Sequence, residues 1–100
     1  MRIGNSKYDY ALVYDLLRIV YERSLQSQDT SLRKLFEEYR ARKGVKVNYY
    51  TVKRHAEFAL RCGLLEKRGT KPSTLLLTKK GVDYIFLFER LLELTREARE

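Results

Sequence analysis

Asn48 to Gly69, "NYYTVKRHAEFALRCGLLEKRG", combines a capped, amphipathic basic segment with a glycine stop and an apolar exit. Asn48 is a good N-cap and Gly63 a natural stop, so Tyr49 to Cys62 is predicted as a helix. At roughly 100° per residue, Val52, Ala56, Ala59, Leu60 and Gly63 share one face, with His55 and Cys62 at its edge. Tyr50, Arg54, Glu57 and Arg61 take the opposite face, flanked by Thr51 and Lys53. Beyond the glycine, "LLEKR", the turn "GTKPS" and "TLLLT" spell two short strands joined by a loop containing Gly and Pro, which is a hairpin.

Working outward, Gly44 to Val47 ("GVKV") is a short connector to a preceding helix over Leu32 to about Lys43. That helix presents Leu32, Leu35, Phe36 and Tyr39 on one face. Its last turn holds Arg40, Arg42 and Lys43, which suit the negative end of the helix dipole without any ligand. Before it, "SLQSQDTS" (Ser24 to Ser31) is a polar break in which Thr30 or Ser31 can act as cap. A first helix is predicted from Tyr8 to about Arg23, with Leu12, Val13, Leu16, Leu17, Ile19 and Val20 at helical spacing. Downstream, Thr78 caps a last helix from Lys79 to near Arg99. The order is helix, helix, helix, hairpin, helix: a mainly α chain with a small β-hairpin, in which a helix-turn-helix is followed by a wing.

At 100 residues the chain is read as a single domain over 1–100, with a core at 8–78 and a terminal helix at 79–100. Its 44% hydrophobic content supports a modest core, not a deep cleft between lobes. Charges interrupt the amino-terminal apolar run, and no apolar stretch approaches the roughly 20 residues that span a bilayer, so neither a secretory signal nor a membrane partner is expected. The lone Cys62 forms no intrachain disulfide and suits a reducing cytoplasm. Net charge is +8, and its placement says more than its size. From Arg40 to Lys80 twelve basic residues face two acidic ones, whereas the other 59 residues carry nine against eleven. So one-sided a distribution points to a polyanion such as nucleic acid, with an acidic protein or an anionic membrane surface as the other candidates.

The ordered elements resemble the winged-helix transcription regulators of the MarR-like, ArsR-like and PadR-like kind. "TVKRHAEFALRCGLLEKRG" (Thr51 to Gly69) is similar to that family's Thr-Val-x-Arg-His opening of the recognition helix and its Gly-Leu-Leu/Val exit into the wing. "LLLTKKG" (Leu75 to Gly81) resembles the family's junction between wing and last helix. The resemblance covers about Leu12 to Ile85 and is more specific for the fold than for any regulated gene or ligand. In size the chain is similar to small dimeric DNA-binding proteins of archaea and their viruses. It departs at Ala56, where the family has a larger aliphatic, with Phe58 as the compensating neighbour.

The resemblance implies binding of double-stranded DNA, and the residue chemistry agrees. Asn48, Tyr49, Tyr50, Thr51, Lys53, Arg54, Glu57 and Arg61 are the candidate contacts of the recognition helix. Arg makes bidentate bonds to guanine, Lys and Tyr reach phosphates, and Glu accepts from cytosine. The plainer alternative is a solvated helix face, which would ordinarily mix Glu with Lys. In the wing, Lys67, Arg68 and Lys71 are candidates for the minor groove or flanking backbone, against the alternative of a soluble loop tip. Lys79 and Lys80 oppose the dipole of their own helix, a cost that a phosphate would offset. His55, the single histidine, is read as packed or phosphate-facing. No cluster at ligand spacing or nucleophile–base set stands out, so no metal, cofactor or enzymatic activity is expected.

In the last helix Tyr84, Leu87, Leu91, Leu94 and Ala98 follow the spacing of a coiled-coil seam. Val82, Ile85, Phe88 and Leu92 form a second stripe. One stripe closes the domain's own core; the other needs a partner, and a two-fold homodimer through Tyr84, Leu87, Phe88, Leu91, Leu94 and Ala98 supplies it. The alternative buries both stripes within one chain. The expected function is therefore sequence-specific DNA binding by a homodimeric regulator associated with the nucleoid. An architectural chromatin protein and a protein-assembly module on the same fold are the rivals. No effector ligand is legible.

Overall fold

The computed structural model of the chain describes residues 8–44, 46–70 and 73–96. Helix α1 (Tyr10–Leu25) starts where the Asp9 carboxylate accepts hydrogen bonds from the N–H groups of Ala11 (2.9 Å) and Leu12 (3.3 Å). This cap moves the start past the expected Tyr8, because a capping residue keeps an extended backbone. At the other end the helix outlasts the expected Arg23 and reaches Leu25. All six apolar residues of its inner face are buried, and α1 is the post against which α2, α3, α4 and the hairpin pack.

Helix α2 (Leu32–Lys43) is capped by Ser31, whose hydroxyl accepts from the Lys34 N–H at 3.4 Å, and it closes at Gly44 in the left-handed region (φ 59°). Thr30, the other candidate cap, does something else. Buried beneath the wing, its hydroxyl donates to the Leu75 carbonyl (2.8 Å) and its carbonyl accepts from the Leu75 N–H (3.3 Å). The break between α1 and α2 is thus bonded to the hairpin. Helix α3 (Tyr49–Arg61) is capped by Asn48 and buries Val52, His55, Ala56 and Ala59.

Strands β1 (Leu65–Arg68) and β2 (Thr74–Leu77) pair antiparallel, with Leu65 opposite Leu77 and Arg68 opposite Thr74. Leu65 and Leu75 dip into the core, so the base of the wing is anchored while Glu66, Lys67 and Arg68 beyond it are exposed. Thr78 then caps α4 (Lys79–Leu94): its hydroxyl accepts from the Gly81 N–H (3.0 Å) and donates to the Gly63 carbonyl (2.6 Å). Gly81 lies so close to the residue that leads into β1 that a Cβ there would stand 2.2 Å from the Leu64 carbonyl oxygen.

Ile85 fixes α4 to the core, the Tyr84 hydroxyl donates to the Tyr10 carbonyl (2.8 Å), and Phe88 stacks on Tyr14 with ring centroids 4.8 Å apart. Burial pushes the Tyr84 phenol up to about 12. Helix α4 ends at Leu94, short of the expected Arg99. The Thr95 hydroxyl donates back to the Leu91 carbonyl (2.9 Å), so a side chain competes with the backbone ladder where that helix closes. A charged ladder crosses the other side: Tyr14 and Arg18 donate to Glu89, Arg18 to Glu22 (2.7 Å), and Arg42 to both Glu22 (2.6 Å) and Glu38 (2.9 Å). It ties α4, α1 and α2 together. The architecture is that of a winged helix: mostly helical, with a single antiparallel hairpin among the described residues.

Candidate nucleic-acid interface

Helix α3 turns its small apolar residues inward because Val52, Ala56 and Ala59 allow it to lie close against α1, leaving the polar stripe outside. Tyr50 stands out from this stripe, 70% exposed, and Arg54, Glu57 and Arg61 are exposed beside it. The first residues are differently engaged. Asn48 spends its Oδ1 on the Tyr50 N–H (2.7 Å), and the Tyr49 ring meets Phe36 of α2 edge-on at 5.3 Å. Half-buried Thr51 offers its carbonyl to His55.

His55 is packed, with no surface for a phosphate: it is 2% exposed and both ring nitrogens are occupied. The Asp9 N–H can only donate, so Nε2 accepts it at 2.9 Å; Nδ1–H therefore donates to the Thr51 carbonyl at 2.7 Å. This neutral ring clips the start of α1 to α3 and sets Tyr8 on the outside of α3. There the Tyr8 ring stacks on Phe58 (4.1 Å, planes 19° apart), lies under the Arg54 guanidinium (5.6 Å), and has its hydroxyl bonded by Arg61 Nη2 (2.8 Å). The ring of Phe58 is thus turned to Tyr8, while Ala56 itself sits in the core.

On the opposite flank, Lys53 and Glu57 face the wing across a cavity of about 180 Å³ lined also by Leu32, Leu60, Lys67 and Leu75. That is below the roughly 300 Å³ typical of sites for drug-sized ligands. Lys67 and Arg68 extend from β1 into solvent; the Arg68 contact to Glu66 at 3.6 Å is an exposed pair of little energetic weight. Lys71 lies outside the described residues.

The structure divides the basic middle segment. Arg42 and Lys43 turn to carboxylates, Lys43 meeting Asp15 at 3.1 Å, and Arg40 lies over Phe36. Lys80 donates to the Cys62 carbonyl at 2.7 Å, a cation at the negative end of α3, which explains it without a phosphate. Lys79 stands in solvent, 4.0 Å from Asp83. Among the described residues, Lys53, Arg54 and Arg61 lie on α3 and Lys67 and Arg68 on the wing, with Arg54 over the Tyr8 ring and Arg61 bonded to the Tyr8 hydroxyl.

A second surface of note is on α4. Leu87, Leu91 and Leu94 are 70%, 52% and 65% exposed, and with Tyr10, Tyr84 and Phe88 the first two line an apolar groove of about 320 Å³. Tyr84 and Phe88 are partly spent inside the chain, and Ala98 lies outside the described residues. Phe86, in neither predicted stripe, is 65% exposed on another flank, near Tyr21.

Among the described residues no group of three or more His, Cys, Asp or Glu could hold a metal, and no helix is long and apolar enough to cross a membrane. No protein-family model matches the chain, and no curated protein matches it as a relative. A solved structure, the complex structure of hsRosR-S4, superposes with a TM-score of 0.67 at 20% identity, over 88% of this chain and 76% of that one. At that identity the likeness speaks for the shared fold.

Proposed function

We propose that the chain binds double-stranded DNA as a homodimeric, sequence-specific regulator, with α3 in the major groove and the hairpin as a wing on adjacent backbone. The observation that carries this reading is the outer face of α3: Tyr50, Arg54 and Arg61 stand outward, flanked by Lys53 and continued by Lys67 and Arg68, while the inner face is closed by Val52, Ala56 and Ala59. A protruding helix about 10 Å across, buried on one side and cationic on the other, matches the width of the major groove. Glu57 at its centre gives the helix something beyond generic attraction, since a carboxylate repels backbone phosphate and is tolerated where it accepts from cytosine. This favours a sequence reader over an architectural coat. Dimerisation through Leu87, Leu91 and Leu94 would cover the exposed strip on α4 and pair two reading helices across a two-fold axis. No enzymatic role is proposed.

The test is binding to duplex DNA in 200 mM salt with excess competitor, after selection of bound fragments from a random-sequence pool. A discrete, palindromic footprint is the expected result. Smooth coating of any duplex would give the architectural reading instead, and no binding at any salt would leave the basic face to an acidic protein.

A further inference from the structure

We propose that Tyr8 is a positioning residue of the nucleic-acid face, holding Arg54 and Arg61 of α3 in the geometry in which they meet DNA; this rests on the DNA-binding reading above. Four contacts carry it. The Tyr8 ring is held from below by Phe58 at 4.1 Å and edge-on by His55 at 5.6 Å, so it is a fixed platform. Arg54 lies over the same ring at 5.6 Å, and Arg61 donates to its hydroxyl at 2.8 Å. Arg54 and Arg61 are two helical turns apart on one stripe of α3, and Tyr8 sits between them against Phe58, one turn from Arg54. The chain around Tyr8 is itself pinned, because the next residue, Asp9, bonds its N–H to buried His55 and its carboxylate caps α1.

The chemistry suits positioning. A guanidinium over an aromatic face keeps its N–H donors in its own plane while losing rotamer freedom before the encounter. Removing that freedom in advance is the general way a binding surface gains affinity without a new contact. The Arg61 bond works through one Nη2, leaving the rest of the fork. On the other flank the wing side chains do the framing, so α3 is bounded by Tyr8 on one side and Lys67 on the other.

The experiment compares wild type, Tyr8→Phe and Tyr8→Ala on the selected duplex, each also in an Arg61→Ala background, with thermal melts of every free protein. Tyr8→Phe keeps the stacked ring and removes the hydroxyl that accepts from Arg61. It should weaken binding about threefold, and not at all once Arg61 is Ala. Tyr8→Ala should weaken it roughly tenfold, again with a smaller effect in the Arg61→Ala background. The dependence on Arg61 is what a merely structural role would not produce; a loss that persists unchanged in that background and follows melting temperature overturns the proposal. Tighter binding by Tyr8→Ala overturns it too, because Tyr8 would then be sequestering the arginines. Wild-type affinity in all Tyr8 variants overturns it while leaving the DNA reading intact, whereas a wild type that binds no duplex overturns both.

Discussion

Replacing Gly81 by alanine tests how α4 is docked, and elementary propensity and the tertiary contacts give opposite signs. In an open helix Gly→Ala stabilises by about 1 kcal/mol. Here the new Cβ would meet the Leu64 carbonyl oxygen at 2.2 Å and a Leu77 methyl at 2.6 Å. The leucine methyl can move; the carbonyl cannot without moving β1. Overpacking of that kind costs about 1–3 kcal/mol. The Leu64 carbonyl also accepts from the Thr78 N–H (3.1 Å), and straining that bond adds about 0.5–1.5 kcal/mol. After subtracting the propensity gain, the net loss centres on about 2 kcal/mol, or a fall in Tm of about 8–16 °C for a domain of this size. Gly44→Ala is the control: at φ 59° with nothing within 4 Å, it carries only left-handed backbone strain, about 1–2 kcal/mol. Far-ultraviolet circular dichroism melts at one protein concentration measure both. A Gly81→Ala protein as stable as wild type, or more stable, would refute the close approach of α4 to β1.

Leu87→Glu with Leu91→Glu should convert a micromolar dimer to monomer or aggregate in light scattering, at a cost of several kcal/mol per buried unpaired charge; a wild-type monomer indifferent to both would remove the dimer. Arg54→Ala should cost about 1–3 kcal/mol on the selected site and much less on random DNA, while Arg68→Ala weakens both alike and lowers the salt slope by about one. Equal losses for Arg54→Ala on both duplexes would reduce α3 to a phosphate clamp. Acid should loosen the ladder across α1. Burial pushes the Glu22 carboxyl up, but hydrogen bonds from Arg18 and Arg42 outweigh it, and the Tyr14 and Arg18 bonds hold Glu89 down, so both lie below 4.5 when folded. Depressed carboxylates contribute stability that is present above 4.5 and is lost as pH falls through their folded values. Urea midpoints should therefore drop below pH 4.5, less so in Glu22→Gln with Glu89→Gln; parallel curves would refute the assignment.

What the sequence determined by itself was everything carried by periodicity and local chemistry. Asn48, Thr78 and Gly44 mark element ends because a cap needs only its own next few residues. The stripes of α1 and α3 announce their buried faces because a 3.6-residue period is a property of the chain alone. Tertiary structure decided what depends on residues distant in sequence. Thr30 could have been a cap, and only the approach of Leu75, 45 positions later, made it a bond to the wing. Arg42 and Lys43 were legible as cations suited to the end of their helix, but their partners Glu22 and Asp15 on α1 were not. His55 was ambiguous at the edge of its helix, and the Asp9 N–H settled it as a buried clip. Tyr8, read as one more helical residue, became a platform because that clip laid it across Arg54 and Arg61. A side chain's partner is fixed by three-dimensional proximity, which a single sequence encodes only through the fold it adopts.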